Sequence, residues 1–298
     1  SQLDMLKKLE LKRKYHAPLK DYAETKGLSF LSSVFDFDDS KFLSSLGCNV
    51  VKIGSGEVTN IPLLYLTAQL NLDVILSTGM SSYEDINLAL GALAFGYSNI
   101  DNSKHPSLKI FEDSFQNKLY KKFCDKISLL QCTSDYPCLE KDVHLNVIDS
   151  YKDLYGLEVG FSDHTAGIHI PLAAVGKGAT IIEKHVTLDR NLPGPDHKSS
   201  LEPEEFKIMC KQIRSVENAL GEKNKFLTNP EKHTKSIVQK VIVASSNIQK
   251  GEKFNNNNIA TLRTGSIGIE PKFYWQLIGK VANKDYSYHE IIDNSQLS

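Results

Sequence analysis

The stretch GFSDHTAGIHIPLAAVGKGATIIEKHVTLDRNLPGPDHKSSL, Gly160 to Leu201, sets His164 and His185 at the ends of two strand-like runs separated by one helix-length segment. Successive βα units of a parallel barrel bring such strand ends together on one face, where the chemistry of that fold takes place. Two imidazoles meeting there suit a divalent metal that keeps coordination positions free for substrate.

Working outward, the same alternation recurs. Leu28 to Phe35, Val50 to Gly56, Asp73 to Gly79, Ile127 to Ser134, Glu158 to His164 and Ala179 to Val186 read as strands. They are Val-, Ile- and Leu-rich rather than cleanly alternating, as strands covered on both faces should be. Helices are expected at Asp38 to Leu46, Pro62 to Leu70, Ser82 to Phe95, Leu145 to Tyr151 and Pro171 to Lys177, several with capping residues near their starts. Strict βαβα order implies an α/β fold with a parallel sheet. Polar residues gather at the strand C-termini, which fits a TIM (β/α)₈ barrel better than a doubly wound sheet, and no GxGxxG or Walker motif is present. Six strands are legible where a closed barrel has eight, so the two missing units are expected before residue 1, with the helical start Leu3 to Lys26 as the tail of the second. Residues 1–222 form this unit, 223–236 read as a polar linker, and 237–298 as a small domain of short strands with a helix at Glu270 to Ile278.

Bulk properties narrow the function. A net charge of −1 over 298 residues gives no basic footprint for nucleic acid or an anionic membrane. Hydrophobic residues make up 41% of the chain, enough for a substantial core. No apolar run approaches the ~20 residues of a bilayer-spanning helix. The start SQLDMLKKLELKRKY has no signal-peptide core, so a cytoplasmic location is expected. The five scattered cysteines form no CxxC pair and read as reduced thiols, with Cys132 in the core.

His164 and His185 carry two readings, ligands of one ion or hydrogen-bonded structural residues. Two ligands fall short of a full shell, but the surrounding Ser, Asp, Glu and Lys favour function. Period two puts Ile181, Glu183 and His185 on one side of the last strand and Ile182, Lys184 and Val186 on the other. Glu183 then either supports His185 or joins an internal ion pair. Lys52 interrupts the apolar run VVKIGSGE, which is costly unless its charge is used. An anion site and an interior salt bridge both remain open. Ser33, Ser55, Ser77 and Ser162, at strand ends, are placed to donate to the same anion. His169 reads as structural, and Asp196 is a better substrate contact than His197. Arg263, in TLRTGSIG, matters only if the small domain covers an active site. A Schiff-base lysine at Lys52 or Lys184 would make an aldolase instead.

SDHT, EKHVTLD, LPGPDHKSSLEPEEF, KIGSGEVTNIPLL, ILSTGM and CTSDYP together resemble the sialic acid synthase family, from the first helix through the small domain. The resemblance implies a TIM barrel followed by a small antifreeze-like (SAF) domain. It also implies a domain-swapped homodimer in which each small domain covers the partner's active site. The implied reaction condenses phosphoenolpyruvate with an N-acylated hexosamine, using manganese or magnesium. In that scheme His164 and His185 hold the metal. Lys52, Ser33, Ser55, Ser77 and Ser162 hold phosphoenolpyruvate. Tyr136 and Asp196 contact the sugar, Ser134 stands where some members have asparagine, and Arg263 reaches the N-acyl group across the dimer. LPGPDHKSSLEP is similar to the sialic and legionaminic branches rather than the pseudaminic one, and SDHTAGIHIPLAAV with CTSDYP leans toward legionaminic acid. The family's first-strand glutamate and second-strand lysine motif have no counterpart here. Either an N-terminal piece supplies them, or the chain is a degenerate homologue that binds without catalysing. SSVF also replaces the usual STPF, and RTG the usual RPG.

Overall fold

The computed structural model describes residues 10–297. Six short runs form one parallel sheet in sequential order: β1 (Ser33–Val34), β2 (Val50–Ile53), β3 (Asp73–Ser77), β4 (Ile127–Cys132), β5 (Glu158–Asp163) and β6 (Ile182–Lys184). Sequential parallel order with intervening helices is the half-barrel arrangement of the TIM class. Val51, Ile53, Val74, Leu76, Ile127, Leu129, Val159 and Phe161 are buried in one core, which is why these runs lack polar alternation.

The helices are α1 (His16–Thr25), α2 (Phe37–Ser45), α3 (Ile61–Gln69), α4 (Tyr83–Ser98), α5 (Leu108–Gln116), α6 (Val147–Tyr155), α7 (His169–Gly176) and α8 (Pro203–Leu220). Several of their starts are set by side chains that satisfy orphan N–H groups. Asp36 Oδ1 accepts from Asp39 N at 2.8 Å ahead of α2. Ser82 and Asp85 form a reciprocal capping box ahead of α4.

Several expectations need adjustment. The run Leu28 to Phe35 is a strand only at Ser33–Val34; Leu28 and Leu31 are exposed, so no sheet neighbour holds that part extended. Of the helical start Leu3 to Lys26, residues 3–9 lie outside the described residues, and the rest is a 3₁₀ turn (Arg13–Tyr15) leading into α1. Helices α5 and α8 were not anticipated. The stretch 223–236 is not linker throughout, because Thr228 and Glu231 cap a helix, α9 (Asn229–Val238).

The chain divides into two compact units, Ser1–Gly221 and Glu222–Ser298. Besides α9, the second unit contains an antiparallel pair, β7 (Val241–Ala244) with β8 (Ile259–Leu262), and a one-turn helix, α10 (Tyr274–Leu277). The helix expected at Glu270 to Ile278 is thus shorter, preceded by a 3₁₀ turn. Its core gathers Ile242, Ile248, Phe254, Leu277, Tyr286 and Ile292. Among the described residues, no helix is long and apolar enough to cross a membrane.

Candidate active site

At the C-terminal ends of the strands a cavity of about 670 Å³ is walled by Ser33, Lys52, Ser55, Ser77, Ser134, Tyr136, Ser162, His164 and His185, with Cys132, Glu183, Phe35 and Met80 beside them. Strand register explains the convergence. Ser33 pairs with Lys52. Cys132, Ser162 and Glu183 form one row across β4, β5 and β6. Alternation then turns His164 and His185, two residues further on, to the same side.

Lys52 is only 5% exposed, and its Nζ lies 3.6 Å from Glu183 Oε1. Burial pulls this ammonium below its ordinary pKa, with Glu183 opposing. Glu183 Oε1 also accepts from Ser162 Oγ at 2.7 Å. The lysine is therefore paired and faces the cavity as well, so the interior salt bridge is present and leaves the anion-site reading open. Among the described residues, Ser77 Oγ is buried with no hydrogen-bond partner, a cost borne where a ligand completes the bond. Ser55 Oγ accepts from Gly79 N at 3.0 Å. A Cβ at Gly79 would displace the hydroxyls of Ser134 and Ser55, both of which face the cavity.

The imidazole centroids of His164 and His185 are 5.5 Å apart. His164 Nδ1 lies 2.8 Å from the Thr133 carbonyl oxygen, so Nδ1 carries the proton and Nε2 keeps its lone pair for a ligand. Burial lowers the His164 pKa, but the Cys132 sulfur and the Thr133 carbonyl outweigh it and leave the ring above its ordinary value. His185 is held below its ordinary value by burial, which with the nearby His164 outweighs Asp196. Asp196 Oδ2 stands 4.0 Å from His185 Nδ1. The Tyr136 ring packs 4.0 Å from that of His164, centroid to centroid. Its hydroxyl is pushed up to about 12, chiefly by burial, and so stays protonated as a donor.

A divalent ion fits this donor set as an open site. Two imidazoles at 5.5 Å are close enough to share one ion bound at about 2 Å from each nitrogen. Among the described residues no cluster of three or more His, Cys, Asp and Glu side chains is placed to hold a metal, so the remaining positions would fall to substrate and water.

Cys132 is a cavity wall rather than only core: its Sγ accepts from Ser55 Oγ at 3.5 Å and lies 3.9 Å from His164 Nδ1. Burial works to raise this thiol, but His164 and Ser55 prevail and leave it below its ordinary value. Phe35 and Met80 also went unread in the sequence. Met80 has a left-handed backbone, φ 62°, directly after Gly79, a signal invisible in composition. His169 is exposed near Glu140, and His197 Nδ1 lies 2.7 Å from Thr187 Oγ1; neither lines the cavity. Lys184 is committed to a buried pair with Asp163, so it is not free for Schiff-base chemistry. Arg263 lies exposed in the second unit, its Nε donating to the Val238 carbonyl at 3.1 Å.

A larger groove of about 1050 Å³ between α4 and α5 lies away from the strand ends. Its Asn99 is occupied in holding the following turn, donating to Tyr65 Oη at 2.9 Å and the Lys104 carbonyl at 2.8 Å. It offers no comparable convergence of functional groups.

A parallel βα sheet whose strand ends surround a cavity with paired imidazoles, a buried ammonium and a set of hydroxyls defines an enzyme of the TIM-barrel class. Residues 1–225 match the NeuB family and residues 239–298 the SAF domain. The chain belongs to the NeuB family. It is 42% identical to the N,N'-diacetyllegionaminic acid synthase of Campylobacter jejuni, covering 98% of this chain and 80% of that protein. The synthase of the same description from Legionella pneumophila is 36% identical, over 94% and 72% of the two chains. The crystal structure of N-acetylneuraminic acid synthetase from Leptospira borgpetersenii superposes with a TM-score of 0.65 at 32% identity, covering 78% of this chain and 72% of that one.

Proposed function

We propose that the protein is a nonulosonic acid synthase that joins phosphoenolpyruvate to an N-acylated mannosamine-type sugar and releases phosphate. The observation that carries this is the convergence on one cavity of a buried lysine, an unpartnered serine hydroxyl and two imidazoles. The similarity to two N,N'-diacetyllegionaminic acid synthases favours a 2,4-diacetamido sugar over N-acetylmannosamine as acceptor.

In this reading Lys52 neutralises the anionic phosphoenolpyruvate, Ser33 and Ser77 donate to its oxygens, and Ser55 and Ser162 do so once their hydroxyls turn from Cys132 and Glu183. Tyr136 and Asp196 orient the sugar. His164 and His185 hold manganese or magnesium, which when bound supplies Lewis-acid polarisation of the acceptor's aldehyde. Phosphoenolpyruvate C3 attacks the aldehyde carbon, water adds at C2, and phosphate leaves with C–O cleavage. Glu183, held by Ser162 and facing Lys52, keeps the lysine charged and oriented. The resemblance assigns further work to a first-strand glutamate absent from these residues. It also assigns a domain-swapped dimer, in which Arg263 serves the partner's site.

The test measures phosphate release from phosphoenolpyruvate with Mn²⁺ and each acceptor, the family's first two βα units being supplied in the same polypeptide. Turnover with the diacetamido sugar is expected. No release with any N-acylated mannose analogue would overturn the reading. Borohydride trapping separates the aldolase reading: a covalent adduct at Lys52 would replace this mechanism.

A further inference from the structure

Behind the two histidines lies a second pair of charges. Asp163 immediately precedes His164, Lys184 immediately precedes His185, and the two are register partners across β5 and β6. Because neighbouring strand residues face opposite ways, both side chains are turned back from the row made by Ser162, His164, Glu183 and His185, though Lys184 still borders the cavity. Lys184 Nζ lies 2.5 Å from Asp163 Oδ2, with side chains 1% and 0% exposed. Lys184 Nζ also donates to the Thr165 carbonyl, and Asp163 Oδ1 accepts from Thr165 N at 2.9 Å. One ion pair thus ties the end of β6 to the end of β5 and to the turn that follows His164.

Stability is a poor reason for it. A buried ion pair seldom outperforms an apolar pair of the same volume, because both charges must be stripped of water. What a buried pair supplies is register, since few geometries satisfy both charges and their hydrogen bonds. Register matters most at β6, which is three residues long and half-buried; among the described residues β5 pairs along it, and a single Val186–Leu201 bridge follows it. A slip of one residue would turn His185 away from the cavity.

We propose that Asp163 and Lys184 are positioning residues, a cross-strand clamp that sets the 5.5 Å separation at which His164 and His185 share one divalent ion. The proposal rests on the metal reading given above.

The test titrates the full chain with Mn²⁺ alone, following free Mn²⁺ by electron paramagnetic resonance, and determines crystal structures. The deciding variant is the double substitution Asp163→Leu with Lys184→Met, which removes both charges. It is expected to unfold at or above the wild-type temperature, yet to bind Mn²⁺ about 10–100-fold more weakly and to show the rings displaced from their 5.5 Å separation. Wild-type affinity with unchanged rings overturns the clamp. Should the double variant not fold, Asp163→Asn, which keeps the shape but loses the charge and one of the two acceptor oxygens that take Thr165 N and Lys184 Nζ, is expected to lose Mn²⁺ affinity about tenfold; full affinity there also overturns the clamp. If the wild-type chain takes up no Mn²⁺, the metal reading fails. Ring separation then decides the clamp by itself: displaced rings support it, and undisturbed rings overturn it.

Discussion

Single side chains here are under opposing demands of folding and ligand binding, and substitutions separate the two. Ser77 has a buried hydroxyl with no partner among the described residues, which costs folding energy in the absence of ligand. Ser77→Ala is therefore expected to leave the melting temperature unchanged or slightly raised. The same change removes a donor to phosphoenolpyruvate, and one hydrogen bond of about 0.5–1.5 kcal/mol corresponds to a rise in KM of roughly 2–13-fold. Thermal melts and steady-state kinetics on the same preparation check both halves. Lys52 carries a larger charge effect. Burial holds its ammonium below the ordinary value, so Lys52→Met relieves a desolvated charge but strands Glu183 without its cation, and the melting temperature is expected to fall. The lost charged hydrogen bond, worth about 1.5–3 kcal/mol, raises KM for phosphoenolpyruvate by roughly one to two orders of magnitude. A fall in melting temperature without a change in KM would place Lys52 among the purely structural ion pairs.

The elements hold these side chains with small tolerances. Gly160 sits in β5 where a Cβ would collide with Leu130 Cδ2 and the Ile181 carbonyl. Gly160→Ala is expected to cost about 1–3 kcal/mol through overpacking, read as a lower denaturation midpoint. The loop carrying Asp196 is fastened to α8 by Arg190, which donates to Glu205 and to the Ser200 carbonyl. The Arg190 hydrogen bond holds the Glu205 carboxyl below its ordinary pKa. A carboxyl depressed on folding stabilises above its unfolded pKa, and that contribution is lost as pH falls through the folded value. The pair is more than a third exposed, so the effect stays below about 1 kcal/mol. Glu205→Gln should therefore unfold slightly earlier than wild type at pH 7, with the difference shrinking as pH drops below the carboxylate range. The sequence disclosed the elements that bury both faces, because β2 to β5 read as predominantly apolar runs without clean alternation. It did not disclose α5, a turn-flanked helix in the long α4-to-β4 connection, where Ile110, Phe111 and Phe115 are sparse among polar residues. Nor did it disclose Cys132 as a cavity wall, because an apolar strand's periodicity says which residues are buried but not which face a cavity. The paired imidazoles were legible because chain order fixes neighbours in a parallel sheet. The Asp163–Lys184 pair was not, since an interior contact depends on the register of two strands.

Over the whole molecule the two units divide the labour in the proposed reaction. The first unit carries the cavity, its lysine, its serines and both imidazoles. The second carries Arg263, exposed on the residue after β8, a position from which a guanidinium can serve another copy of the chain. An acceptor's N-acyl oxygen is a neutral acceptor, and an arginine donating to it fixes the sugar without competing for the phosphate. Arg263→Ala is accordingly expected to raise KM for the sugar by about tenfold or more and to leave KM for phosphoenolpyruvate unchanged. If the arginine acts across a dimer, two variants can rescue each other when assayed at a sugar concentration far below the raised KM, where Arg263→Ala sites contribute little. Arg263→Ala keeps an intact cavity but lacks the arginine, whereas His164→Ala keeps the arginine but lacks an imidazole. After refolding in equal amounts, half the dimers are hybrids, and each hybrid has one site with both groups present. Activity near one quarter of wild type is then expected, about the share of intact sites in a randomly mixed two-fold dimer. Mixtures no more active than the parents would place Arg263 in service of its own chain or of no site at all.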